Sequence, residues 1–339
     1  MFDPYEQLDL NNEACAPPHL NKRIGGKYLV QKMVGSGSSA RVYSAKVFPG
    51  DQMVAVKVLR ARSSTNTGKE MLAQEGLSLM QVNHPCFVKA HDFGKTEDGE
   101  PFLVMDLLDG YTLKAILRYF HTIPLDKVLD LSLQLLDALD HLHCRGIVHA
   151  SFKPSDIMVL DGERCSKMKL IDLDSVIHPE APHLHSQAVL GEGATFHYMS
   201  PEQAQDQKVD KRADVFSFGI VLYEMVAGRM PFDGNSVIEV FNNKIANKMV
   251  PLSESRPDLA GGELERILRK CLQANPANRY QDLLQLQNDI QDLRFQTPTT
   301  EEHQVDTKCW KTLPRSAYAD KVKPEKKTWI DGIKRLIGG

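Results

Sequence analysis

Gly35-Ser36-Gly37-Ser38-Ser39-Ala40-Arg41-Val42-Tyr43-Ser44-Ala45-Lys46-Val47 is the stretch that decides how this chain is built. Its first six residues are small enough for a backbone that closes over phosphates with its N–H groups exposed. A dinucleotide-binding loop of that kind runs into a helix, whereas Arg41 to Val47 alternates and is rich in β-formers, so this loop joins two strands as a hairpin. No G-x-x-x-x-G-K-[ST] segment occurs, which excludes a Walker loop. Taken alone, the segment also fits an ordinary Gly/Ser hairpin turn. Val54-Ala55-Val56-Lys57 on the following strand changes the balance, because a lysine flanked by Val56 and Val58 and preceded by a glycine loop is an unusual coincidence for a surface residue.

Outward from the hairpin, short β-rich runs at Tyr28 to Val34, Arg41 to Val47, Met53 to Leu59 and Pro101 to Met105 are separated by turn residues. One helix is predicted among them, over about Thr67 to Val82, with Met71, Leu72, Leu79 and Met80 on one face. From about residue 112 the pattern becomes helical. Leu125, Val128, Leu135, Leu139 and Leu142 recur at helical spacing, and Val215 to Ala227 is apolar nearly all round and stops at Gly228, as a buried helix does. The expected architecture is α+β and bilobal: a small β-rich lobe over 27–108 with one helix, then a large helical lobe over 109–295. Residues 1–26 read as a mobile leader and 296–339 as a basic tail.

With 339 residues, 25% charged and 42% apolar, the chain can bury one substantial core or two lobes. A formal net charge of -3 gives no global pull toward nucleic acid or anionic membrane. Cys15, Cys86, Cys144, Cys165, Cys271 and Cys309 lack C-x-x-C spacing, against both a disulfide framework and a zinc ribbon, and a reducing intracellular setting fits them. The N-terminus has neither the basic nor the apolar region of a secretory signal, and no apolar run is long enough to span a bilayer. The expected location is cytoplasmic, with peripheral membrane contact open through the tail. There Trp329, Ile330, Ile333, Leu336 and Ile337 make an apolar helical stripe beside Lys326, Lys327, Lys334 and Arg335. Docking of that helix on its own lobe is the alternative.

From Val54-Ala55-Val56-Lys57 onward the chain resembles the eukaryotic-type Ser/Thr protein kinases, including their bacterial members, over about residues 27–295. The loop departs from the family at its third glycine, which is Ala40. The resemblance implies ATP and Mg2+ as cofactors and a protein partner or substrate. It makes Lys57 the ligand of the α/β-phosphates, held by Glu75. It places Val34, Gly35, Ser36, Gly37, Val42, Ala55, Met105, Asp106, Leu108 and Met158 around the nucleotide. Gly76, beside Glu75, lowers helix propensity by about 1 kcal/mol and is expected to loosen the docking of that helix.

His149-Ala150-Ser151-Phe152-Lys153-Pro154-Ser155-Asp156-Ile157 stands where that family has H-R-D-L-K-P-x-N-I. Ser151 replaces the aspartate that accepts or orients the substrate proton, and a hydroxyl has no accessible basic form near pH 7. Ala150 replaces the arginine that engages a phosphorylated activation loop. Asp156 replaces the metal-binding asparagine but keeps an oxygen ligand. Asp172-Leu173-Asp174 occupies the D-F-G site, with Asp172 as the implied Mg2+ ligand, and Asp156, Asp172 and Asp174 are expected to converge as three carboxylates. Lys153 is implied to contact the transferring phosphate, and Thr195 matches the threonine of the Ser/Thr class.

Downstream, Ser200-Pro201-Glu202 falls at the A-P-E position, Asp214 matches the anchor of the catalytic loop, and Arg279 matches the buried partner of Glu202. His141, His143, Cys144 and His149 are close in sequence. The resemblance assigns His143 and His149 to packing, which leaves too few ligands for a structural zinc site. The expectation is a kinase-like domain that binds Mg-ATP and acts as a pseudokinase scaffold or allosteric regulator, with a weakly active Ser/Thr kinase as the alternative.

Overall fold

Alternation governs the first hundred residues. The structure is a computed structural model that describes residues 18–37, 40–60, 66–150, 152–160, 167–173, 176–177 and 195–299. Strands β1 (Arg23–Ile24), β2 (Tyr28–Ser36), β3 (Ala40–Val47), β4 (Met53–Leu59), β5 (Ala90–Lys95) and β6 (Pro101–Asp106) form one antiparallel sheet in the order β1-β2-β3-β4-β6-β5. In β4 the period of two sorts the side chains. Val54, Val56 and Val58 pack with Val30, Tyr43, Phe102 and Val104 on one face. Ala55 and Leu59 join Leu103 and Met105 on the other, against Leu72 and Leu79 of helix α1 (Asn66–Gln81). Lys57 shares that second face, so the strand itself turns its ammonium toward the helix.

Three features of this lobe differ from expectation. A Cβ on Gly76 would lie 3.0 Å from Leu103 Cδ1, so the glycine, expected to loosen the docking of α1, stands where the helix approaches the sheet closely. Met80, expected on the apolar face, is exposed. The folded region also begins before residue 27: β1 pairs with β2, and His19 and Ile24 are buried. Residues 1–17 of the expected leader, and the tail helix at 329–337, lie outside the described residues.

The second lobe holds helices α2 (Leu113–Phe120), α3 (Leu125–His143), α4 (Pro201–Ala204), α5 (Arg212–Ala227), α6 (Val237–Ile245), α7 (Glu263–Cys271) and α8 (Leu283–Gln296). Helix α5 is buried along nearly its whole length and ends at Gly228, whose left-handed φ of 68° lets its N–H reach Glu224 O at 2.9 Å. On top of the helices lies a small antiparallel sheet, β7 (Gly110–Thr112), β8 (Ile157–Leu160) and β9 (Lys167–Leu170). The loop after α1 is tied to this sheet: Val88 N donates to Leu170 O at 2.9 Å, and Leu170 N to Cys86 O at 2.7 Å. The two lobes therefore meet directly beside the segment that carries Asp172. Among the described residues no helix is long and apolar enough to cross a membrane.

Candidate functional site: a charged cleft between two sheets

Lys57 donates to both oxygens of Glu75, at 2.8 and 2.9 Å, and to Asp172 Oδ1 at 3.1 Å. Three elements converge to make this contact: β4 supplies the ammonium, α1 one carboxylate, and the chain after β9 the other. The three side chains are 11%, 0% and 23% exposed, respectively. Burying a charge in this way is tolerable only with partners in hydrogen-bonding geometry, which is what the pairing provides.

Across the cleft, one buried carboxylate shapes the loop at 149–156. Asp214, at the start of α5, accepts from Ala150 N at 2.7 Å and His149 N at 2.9 Å, and its Oδ2 lies 2.7 Å from His143 Nε2. Ala150 has φ 69°, a left-handed conformation that costs an L-residue about 1–2 kcal/mol and here is held by those bonds and by Gln203, which donates to Ala150 O. Lys153 then donates through both N and Nζ to Asp156 Oδ2, each at 3.1 Å, while Ser155 Oγ donates to Asp156 Oδ1 at 3.1 Å. Ile171 N donates to Asp156 O at 2.9 Å, which fastens this loop to the residue before Asp172. Ser151, Asp174 and the joint convergence of three carboxylates lie outside the described residues.

The residues expected around a nucleotide lie on the hairpin, on β4 and β6, and beside the small sheet. Gly35 and Ser36 pair with Val42 and Arg41 across the hairpin, Gly37 N donates to Ala40 O at 2.9 Å, and Ser36 Oγ accepts from Arg60 at 2.7 Å. Ala55 and Met105 are buried and paired across β4 and β6, whereas Val34, Val42, Leu108 and Met158 are half-buried apolar side chains. Asp106 closes the strand with its carboxylate 2.6 Å from His91 Nε2. The donor set fits a metal-bound triphosphate: an ammonium on the strand next to a glycine hairpin, and the hard oxygens of Asp156 and Asp172, with half-buried apolar side chains at Val34, Val42, Leu108 and Met158.

Beyond the cleft, the segment from Thr195 is pinned at its end. Lys244 of α6 donates to the carbonyls of Phe196, His197 and Met199 at 2.9, 2.8 and 2.8 Å. Burial pushes its pKa down to about 7, while the three carbonyls and the faces of Phe196 and Phe216 favour the charged form. Glu202 receives two bonds from Arg279, both 2.7 Å, and Arg279 also donates to Gln273 O, Ala274 O and Arg212 O. Tyr198 donates to Glu224 at 2.7 Å, and burial raises the pKa of both groups.

Residues 28–289 match the family described as the protein kinase domain. The chain belongs to the protein kinase family. Among curated relatives, it is 31% identical over 280 residues to the serine/threonine-protein kinase PknB of Mycobacterium leprae, covering 81% of this chain and 43% of that protein. It is 29% identical over 273 residues to the serine/threonine-protein kinase PrkC of Bacillus subtilis, covering 80% and 41%. The chain thus spans about two fifths of the length of these relatives. Among solved structures, the PknI kinase domain of Mycobacterium tuberculosis superposes with a TM-score of 0.61 at 23% identity, over 80% of this chain and 98% of that one, a likeness of fold.

Within this kinase-like domain, Lys57, Glu75 and Asp172 come together as expected, and Lys153 and Asp156 stand together on the loop. Of Thr195, only the backbone, in a short helical turn over Thr195–His197, is described. Gln203 and Lys244, which hold the loop and the segment end, were not singled out from the sequence. Each acts on main-chain carbonyls, and such contacts leave no spacing signal. The histidines separate: His143 engages Asp214, His149 packs edge-on against Phe152, and His141 faces His84, a residue from a different element.

Proposed function

We propose that the domain binds Mg-ATP in its cleft and acts as a pseudokinase, a scaffold or allosteric regulator whose closed surface engages a protein partner. The observation that carries this reading is Lys57 bridging Glu75 and Asp172 while position 151 carries a hydroxyl in place of a carboxylate. When bound, ATP would supply the γ-phosphoryl group and Mg2+ the charge that offsets its oxygens. In this reading Lys57 holds the α/β-phosphates, Asp172 and Asp156 hold the metal, and Val34, Val42, Ala55, Leu108 and Met158 exclude water from the base.

A second reading, a weakly active Ser/Thr kinase, is favoured by the pairing of Lys153 with the Asp156 carboxylate, because positioning and charge stabilisation supply most of phosphoryl transfer. Losing a general base costs about 10²- to 10⁴-fold, which slows a kinase without abolishing it. Phosphotransfer from radiolabelled ATP to a generic basic substrate, run beside Ser151→Asp and Lys57→Ala, separates the two. A silent parent with a large gain in Ser151→Asp supports the pseudokinase. Robust parental turnover lost in Lys57→Ala supports the enzyme. Thermal unfolding with and without Mg-ATP tests the premise of both: nucleotide at 100 times its Kd adds about 2.7 kcal/mol, and no shift at any concentration ends both readings.

A further inference from the structure

We propose that His84, Cys86, Asp137 and His141 form a binding site for a borderline-soft divalent cation, Zn2+ foremost, where the loop after α1 meets α3. His84, Cys86 and Asp137 each offer one ligand atom, and these atoms all lie within 4.8 Å of one another. His84 Nε2 and Asp137 Oδ2 are already 3.1 Å apart. His141 stands one helical turn beyond Asp137 on the same face of α3, with its ring centroid 4.8 Å from that of His84. Its Nε2 is buried and has no hydrogen-bond partner among the described residues. A buried imidazole nitrogen with no hydrogen bond among the described residues, beside a thiol, a carboxylate and a second imidazole, is placed to serve as a further ligand.

The donor set selects the metal. Two imidazole nitrogens, one sulfur and one carboxylate oxygen suit tetrahedral Zn2+, whereas Mg2+ prefers an all-oxygen octahedron. Bonds of about 2.0–2.3 Å place tetrahedral ligands roughly 3.3–3.8 Å apart, so the widest separation among the His84, Cys86 and Asp137 ligand atoms must close by about 1 Å, with the His141 ring swinging in from the next turn of α3. His84 and Cys86 sit on a loop and Asp137 is 63% exposed, so the cation has both a route in and ligands able to move. Protons balance as follows. Cys86 N–H faces His84 Nδ1 at 3.3 Å, which leaves the ring proton on Nε2 toward Asp137. The metal takes the Nε2 lone pair, the ring proton is re-established on Nδ1, and that long backbone contact is given up. The Cys86 thiol releases its proton to water, so thiolate and carboxylate together neutralise the dication. Burial favours the neutral, ligating form of His141.

Occupancy would fasten the loop to α3 and, through the bond from Leu170 N to Cys86 O, steady the strand leading to Asp172. The test uses the full chain, stripped with chelator and titrated with Co2+ and then Zn2+ in excess Mg2+. One equivalent of Co2+ is expected to give a thiolate-to-cobalt absorption band that Zn2+ displaces. Cys86→Ala should abolish the band, Asp137→Asn and His141→Gln should weaken binding at least tenfold, and Cys144→Ser should leave it unchanged. Asp137→Asn alters an exposed side chain, so it remains informative if Cys86→Ala fails to fold. No band in the parent, a band that persists in Cys86→Ala, or parental affinity in both Asp137→Asn and His141→Gln overturns the proposal.

Discussion

Replacing Lys57 by Met removes the ammonium from which both oxygens of Glu75 accept, at 2.8 and 2.9 Å, and so takes two hydrogen bonds and a countercharge from a carboxylate that is fully buried on α1. Asp172, 23% exposed, can turn part of its charge to water; Glu75, at 0%, cannot without moving the helix. Removing one partner of a buried ion pair costs about 3–5 kcal/mol, and the lower end applies here because the methionine no longer needs the lysine's own desolvation. A loss of about 3 kcal/mol is a large part of the roughly 5–15 kcal/mol that holds a domain folded. With a urea m-value of about 3 kcal/mol/M, the midpoint should fall by about 1 M. Urea titrations followed by far-ultraviolet circular dichroism compare the parent, Lys57→Met and Lys57→Met/Glu75→Leu. The double variant, which removes both charges, should recover most of the loss, since apolar replacement of a buried pair is often neutral. If Lys57→Met loses less than about 1 kcal/mol, or the double variant is the less stable of the two, the cleft does not depend on this pair as argued.

Three more expectations follow from the packing. Lys244 has its folded pKa lowered by burial to about 7 from an ordinary 10.5, so between those values the folded chain holds fewer protons than the unfolded one. Its contribution to stability therefore rises with pH across that window and is lost as pH falls through about 7. Lys244→Met should flatten the slope and cost about 1–3 kcal/mol by stranding three carbonyls; a melting temperature with the same pH slope in both proteins would contradict this. A Cβ on Gly219 would lie 2.8 Å from Cys271 Cβ and 2.9 Å from Leu272 Cδ2, so Gly219→Ala should prise α5 from α7 and cost about 1–3 kcal/mol despite its better helix propensity, as measured by urea denaturation. Gly76→Ala should likewise destabilise, because crowding Leu103 outweighs the about 1 kcal/mol of helix propensity gained; a more stable variant would show that α1 can yield.

The strands of the first lobe were legible because β-branched and aromatic residues alternate there, and the long helices because leucines recur at helical spacing. Strand β5, Ala-His-Asp-Phe-Gly-Lys, was missed: it has one large apolar residue and is a strand because β6 offers it a ladder. Lys57 was readable as a charge on an apolar strand behind a glycine loop, and Glu75, Asp172 and Asp214 through the motifs in which the chain resembles the kinases. The role of Gly76 was not, since propensity sees a helix in isolation and the glycine answers to a neighbouring strand. The pairing of His84 with Asp137 and His141 joins elements more than fifty residues apart, and nothing in either segment names the other.

The left-handed backbone at Ala150 has a further meaning. At this turn Asp214 accepts from the main-chain N–H groups of His149 and Ala150, and Gln203 donates to the main-chain carbonyl of Ala150, so the turn is held through groups that nearly every amino acid carries. Shape and reactivity are thereby decoupled in this molecule: side chains at neighbouring positions can be exchanged like tools in a fixed holder. The holder itself is kept in tension whichever tool it bears.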